Sequence, residues 1–225
     1  MSSVRTLEIN GYRDEPVPNT LFQQPGSSTR MAVILPGIRY MCKMPLLYYL
    51  TSLLFELGAD VLWVEYEYDQ RPDFQALSYD EQRHWVLSDA TAACHAALAS
   101  RPYRDVTLAG KSLGTLALGY LLTREPEFAQ SRAIWLTPLL NDKVLRAQLR
   151  QAPQRSLVVI GTNDKQYDPS FLEELKALSN VKAVILQGAD HSLEIKGELS
   201  SSIKLMGDLM REIELFVSES RSKRP

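Results

Sequence analysis

Asp105-Val-Thr-Leu-Ala-Gly-Lys-Ser-Leu-Gly-Thr-Leu-Ala-Leu-Gly119 is the stretch from which the rest of the chain is read. An apolar run, Val106 to Ala109, stops at Gly110; Ser112 follows two residues later, then Gly114 and a second apolar run at helical spacing. The pattern reads as strand, sharp turn, helix. Gly110-Lys-Ser-Leu-Gly114 has the spacing of a nucleophile elbow, in which a serine at the tip of a strained turn lifts its hydroxyl above a sheet. Glycines two residues either side of the serine let strand and helix backbones approach without a Cβ between them. The same serine sits at a helix N-terminus, where free N–H groups and the helix dipole favour a developing negative charge.

The same alternation recurs on both sides of this stretch. Residues 4–9 and 17–23 read as two opening strands, and Met31-Ala-Val-Ile-Leu35 as a strand buried on both faces, ending at Pro36-Gly37. Pro45 opens a helix that Gly58 closes. Val61–Val64 is the next strand, 66–79 a long polar and aromatic loop, and Asp80 to about Ser100 a long helix. After the elbow come a helix over 113–123, a strand over 133–136, a short helix over 142–150 and a strand over 157–160. A helix over 169–178, a strand over 181–186 and a closing amphipathic helix over 201–217 complete the chain. Strands alternating with helices predict an α/β fold, with a doubly wound, mostly parallel sheet of about seven or eight strands and helices on both faces. No Pro/Gly/Ser-rich linker divides residues 1–225, so one domain is expected, and the short interval between Leu136 and Leu157 leaves no room for a cap domain.

Composition narrows the classes of function. Hydrophobic residues make up 45% and charged residues 23%, with a formal net charge of −2, so neither nucleic acid nor an anionic membrane surface is an expected partner. The basic cluster Arg221-Ser-Lys-Arg224 reads as a solvated tail. Cys42 and Cys94 are too few for a metal site of usual spacing or a disulfide framework, and read as reduced thiols. Without an apolar leader at the N-terminus or a run of about 20 apolar residues, a cytoplasmic protein is expected. The oligomeric state is not legible.

In an open α/β sheet ligands bind beyond the carboxyl ends of the strands. One such end runs into Gly161-Thr-Asn-Asp164 and another into Gln187-Gly-Ala-Asp-His191. With Ser112 they supply, in chain order, a nucleophile, an acid and a base. A serine hydroxyl is a weak nucleophile until an imidazole takes its proton, and the imidazole needs a carboxylate to hold its tautomer. His191 is the expected base, since His84 and His95 fall within the long helix. Asp164 is the expected acid, with Asp142 and Asp168 as alternatives; Asp190, next to the histidine, reads as a loop brace. The backbone N–H groups of Leu113 and Ile38 are the expected oxyanion donors.

From the strand before Pro36-Gly37 to the closing helix, the chain resembles the α/β-hydrolase superfamily. Gly-Lys-Ser-Leu-Gly, Gly-Thr-Asn-Asp and Gly-Ala-Asp-His are similar to the small, lid-less, dienelactone-hydrolase-like branch and its serine-bearing relatives. Two departures stand out. Dienelactone hydrolases use a cysteine where this chain has Ser112, which argues against their particular reaction; and Arg39 stands where the oxyanion loop of the family commonly has a small residue. The resemblance implies hydrolysis of a small or medium carboxylic ester or thioester through an acyl-enzyme, with no cofactor and no metal. An open pocket near Arg39, Tyr40, Met41 and Leu139 would take a small-molecule ester. The alternative is a binding or interaction protein that keeps the fold without the catalysis.

Overall fold

A computed structural model describes residues 3–219. The basic cluster Arg221-Ser-Lys-Arg224 lies outside them. The strands are β1 (Ser3–Arg5), β2 (Asn19–Gln23), β3 (Arg30–Leu35), β4 (Ala59–Val64), β5 (Asp105–Lys111), β6 (Arg132–Leu136), β7 (Arg155–Gly161) and β8 (Val181–Leu186). They form one sheet in the order β1-β2-β4-β3-β5-β6-β7-β8. From β4 to β8 every neighbouring pair is parallel, while β1 and β2 pair antiparallel at one edge. The helices are α1 (Pro45–Glu56), α2 (Pro72–Gln75), α3 (Tyr79–Ala99), α4 (Gly114–Arg124), α5 (Lys143–Gln151), α6 (Pro169–Lys176) and α7 (Leu199–Ser218). This is the expected doubly wound architecture, and only α5 lies between β6 and β7, so no cap covers the sheet there.

The sheet separates two cores, and alternate strand residues feed each. Met31, Val33 and Leu35 of β3 join α3, α4, α5 and α6 through Trp85, Leu116, Leu145 and Phe171. Ala32 and Ile34 point the other way, toward Leu46 and Leu50 of α1 and Leu209 and Ile213 of α7. Burial on both faces explains the continuous apolar runs by which the central strands are recognised.

The expected loop over 66–79 is in fact partly helical. It holds a 3₁₀ turn at Tyr68–Gln70 and α2. Tyr66 stacks on Tyr68, and Tyr68 on Phe74 with ring centroids 4.4 Å apart, while the Tyr68 hydroxyl donates to buried Asp89 of α3 at 2.7 Å. Its order comes from aromatic packing against α3, whose start is fixed by a Ser78–Glu81 capping box. The opening strands are shorter than expected because the Asn19 side chain takes both backbone groups of Leu7, its oxygen accepting from the Leu7 N–H and its NH₂ donating to the Leu7 carbonyl, each at 2.9 Å.

β3 lies between β4 and β5, so the connections leave in opposite directions at the β3/β5 boundary. A crevice at such a switch point is where α/β sheets bind ligands. Close packing there depends on Gly114: a Cβ on it would lie 2.1 Å from the Leu35 carbonyl oxygen, which belongs to the backbone of β3. Gly114→Ala is therefore expected to cost about 3 kcal/mol, as overpacking against a rigid neighbour does, and to lower the melting temperature by roughly 6–12 °C. A thermal melt within about 2 °C of wild type would show that α4 can back away from β3 without cost.

Candidate active site

The strand-to-helix turn holds Ser112 at φ 50°, in the left-handed region that residues with a Cβ seldom occupy. Its N–H donates to the Leu136 carbonyl oxygen at 3.0 Å, and its carbonyl accepts from Thr115 N–H at 2.9 Å. Strain of this kind, of order 1–3 kcal/mol, persists when surrounding bonds over-determine it. The consequence is a hydroxyl projecting from the end of β5 toward the loops after β7 and β8.

Those two loops are stitched together. Asn163 N–H donates to the Ala189 carbonyl at 2.9 Å, Asn163 Nδ2 to the Gly188 carbonyl at 3.0 Å, and Gly188 N–H to Thr162 Oγ1 at 2.8 Å. Asp164 and His191 are thereby brought face to face, with Asp164 Oδ2 2.7 Å from His191 Nδ1. His191 Nε2 is 2.8 Å from Ser112 Oγ. The Asp164 side chain is wholly buried, its other oxygen accepting from Gln166 N–H at 2.9 Å, whereas that of His191 is 42% exposed. A carboxylate, an imidazole and a hydroxyl in line at these distances can draw the serine proton onto Nε2 while Nδ1 stays protonated.

The remaining acids have other work. Asp142 caps α5 and accepts from Tyr79 Oη and Arg83 Nη1, each at 2.8 Å. Asp168 caps α6 and pairs with Arg146. Asp190 Oδ1 accepts from the N–H groups of Ser192 and Glu194, bracing the loop as its position next to the histidine predicts. His84 packs edge-on against Tyr12, and His95 pairs with Glu125 on the surface.

The loop after β3 comes up against the serine: a Cβ on Gly37 would lie 3.2 Å from Ser112 Cβ. Ile38 follows it and is exposed, while Leu113 stands at the N-terminus of α4, where the first N–H groups have no partner within the helix. Of the expected pocket residues, Arg39 is exposed and Met41 half-buried. Leu139 is half-buried and packs on the core beside Thr115. Tyr40 is turned into the scaffold instead. It is buried, its hydroxyl accepts from Leu46 N–H at 3.2 Å, and its ring lies beneath the ammonium of Lys111.

A cleft of about 730 Å³ opens elsewhere, between α1, the 190–198 loop and α7. Pro45, Tyr49, Ile195, Met206 and Met210 give it apolar walls, and Asp190 and Glu194 place it beside the loop that carries His191. Sequence reading missed it because its walls come from opposite ends of the chain. It also missed Lys111, although this is the one charged residue between Asp105 and Arg124.

The alpha/beta hydrolase domain family matches residues 41–218, well over half of the chain. The chain belongs to the α/β-hydrolase family. No curated protein matches it by sequence. Among solved structures this hydrolase is similar to a lid-less α/β serine hydrolase from Xanthomonas campestris, at 20% identity and TM-score 0.66 over 98% of this chain and 97% of that one. It is similar also to a dienelactone hydrolase from Anabaena variabilis, at 14% identity and TM-score 0.74 over 96% of each chain. A third is an esterase from Pyrococcus furiosus, at 12% identity and TM-score 0.73 over 96% and 91%. These likenesses concern the fold.

Proposed function

We propose that this hydrolase is a serine esterase or thioesterase working through an acyl-enzyme, with Ser112 as nucleophile, His191 as base and Asp164 as its orienting acid. The observation that carries the reading is the unbroken line from Asp164 Oδ2 through both ring nitrogens of His191 to Ser112 Oγ, at 2.7 and 2.8 Å. Ser112 Oγ attacks the carbonyl carbon of the substrate as its proton passes to Nε2. The oxyanion that forms is met by the N–H groups of Leu113 and Ile38, donors typically worth about 10²- to 10³-fold in rate each. His191 returns the proton to the departing alcohol or thiol, and water repeats the sequence on the acyl-enzyme to release the acid.

The similarity to an esterase and to a serine hydrolase without a lid supports this chemistry. The apolar cleft beside the His191 loop, whose lining includes none of the three triad residues, supports a substrate group reaching over from Ser112, and its charged lining is three carboxylates, Asp190, Glu194 and Glu198, against Lys196. That balance favours an uncharged acyl or alcohol group over an anionic one. A small-molecule ester is the proposed partner, and a cytoplasmic setting suits the two free, buried thiols. Among the described residues no helix is long and apolar enough to cross a membrane.

The test is labelling by a fluorophosphonate together with p-nitrophenyl esters of increasing chain length. Ser112 is expected to be labelled. Each methylene that enters the cleft should raise kcat/KM up to about fourfold, from roughly 0.8 kcal/mol of burial, until the cleft is full. A folded protein that neither reacts with the probe nor turns over any ester would replace the enzyme by a binding protein.

A further inference from the structure

An ammonium inside an apolar interior is costly unless its charge and its N–H groups are met. The Lys111 side chain has 0% exposure, and three groups from three different loops meet it. Nζ donates to Thr137 Oγ1 at the end of β6 and to the His191 backbone carbonyl after β8, both at 2.7 Å. It also stands 4.7 Å from the centroid of the Tyr40 ring in the loop after β3. Two oxygens and one π face account for the three donors of an ammonium. Lys111 is also the chain neighbour of Ser112. A single side chain therefore ties the residue beside the nucleophile to the backbone of the histidine that must take its proton.

We infer that Lys111 is a positioning residue for proton transfer from Ser112 to His191, acting through the charged hydrogen bond from its Nζ to the His191 carbonyl oxygen. The inference rests on the serine-hydrolase reading above. His191 is half-exposed on a loop, so its ring position depends on how its backbone is held. A displacement of about 1 Å at a reacting centre can cost about 10²-fold in rate, and a hydrogen bond from a charged donor is roughly twice as strong as a neutral one.

The charge also gives the device a pH dependence. The titratable and charged groups facing Nζ are Tyr40 from the β3 loop, Asp164 from the β7 loop, and Asp190 and His191 from the β8 loop, with Ser112 next in the chain. Burial lowers the Lys111 pKa from 10.5 to about 8, against the opposing pull of Asp164 and Asp190. Below that pH the ammonium holds His191. Above it the amine is neutral, the carbonyl loses its charged partner, and the rate falls. An unfolded chain keeps the lysine proton up to its ordinary value, so between these two pH values the folded chain binds fewer protons and its stability rises with pH. Activity and stability should thus move in opposite directions. A lysine that merely supported the fold would raise stability over the same range and leave the rate unchanged.

The experiment follows fluorophosphonate labelling and ester turnover from pH 6 to 10 in wild type, Lys111→Met and Tyr40→Leu, with a thermal melt of each. Wild type is expected to slow above about pH 8. Lys111→Met should lose about 10²-fold in kcat with KM changed less than about threefold, show no further slowing above that pH, and melt at pH 7 no lower than wild type. Tyr40→Leu, which removes the ring beneath the ammonium, should move the alkaline limb down by roughly half to one pH unit. If Lys111→Met does not fold, the other two proteins decide: a rate flat to pH 10 in wild type, or a limb unmoved in Tyr40→Leu, overturns the inference. A folded Lys111→Met that labels at the wild-type rate and keeps the alkaline limb overturns it alone, leaving Ser112 as nucleophile. Absence of labelling in wild type overturns both readings.

Discussion

Ser112→Ala is expected to lower kcat by about 10⁴- to 10⁶-fold, the scale on which serine nucleophiles act, and to abolish labelling by a fluorophosphonate. The fold should survive. His191 Nε2 loses its partner at 2.8 Å, but that side chain is 42% exposed and water can replace the hydroxyl. The backbone bonds from Ser112 N–H to Leu136 and from Thr115 to the Ser112 carbonyl do not involve the side chain. Because φ stays near 50°, alanine keeps the strain that serine carries. Ser112→Gly, equally inactive, removes it and should melt about 2–4 °C above Ser112→Ala, the shift that roughly 1 kcal/mol produces in a protein of this size. A folded Ser112→Ala with a tenth of wild-type turnover would remove the acyl-enzyme from the account.

The sequence pattern exposes what local rules control. Parallel strands covered on both faces must be apolar throughout, so β3, β5 and β7 read directly. Gly110 and Gly114 mark the elbow because α4 lies so close to β5 at the first and to β3 at the second that neither position tolerates a Cβ. Asp164 and His191 stand out as candidates because ligands bind beyond strand ends, and the structure brings their side chains together at 2.7 Å. What stays hidden depends on distant partners. The order in 66–79 comes from Trp85 and Asp89, which a reading of the segment alone does not contain. The role of Tyr40 depends on Lys111, and that of Lys111 on Thr137 and His191, 26 and 80 positions along the chain. A lysine alone in an uncharged stretch was the available signal: a charge in a strand destined for burial has to be paired.

Asp164→Asn is expected to lower kcat by about 10⁴-fold, the loss that follows when an orienting carboxylate becomes an amide. The volume hardly changes, and the amide oxygen can still accept from Gln166 N–H, so the fold should hold. What changes is the proton inventory. The carboxylate accepts from His191 Nδ1–H at 2.7 Å; an amide that presents its NH₂ there makes Nδ1 an acceptor and sends the ring proton to Nε2. Nε2 then donates to Ser112 Oγ and cannot take its proton, while the imidazolium loses its buried counter-charge. KM should change little, because the loss falls in the transition state. A second effect distinguishes this site from an isolated triad. Asp164 is one of two carboxylates that favour the charged form of Lys111, so its neutralisation should bring the alkaline limb of the residual activity below about pH 8. Residual kcat above about a tenth of wild type would assign the orienting role elsewhere. An unshifted limb at low residual activity would keep Asp164 in the triad while separating its charge from the lysine beneath it.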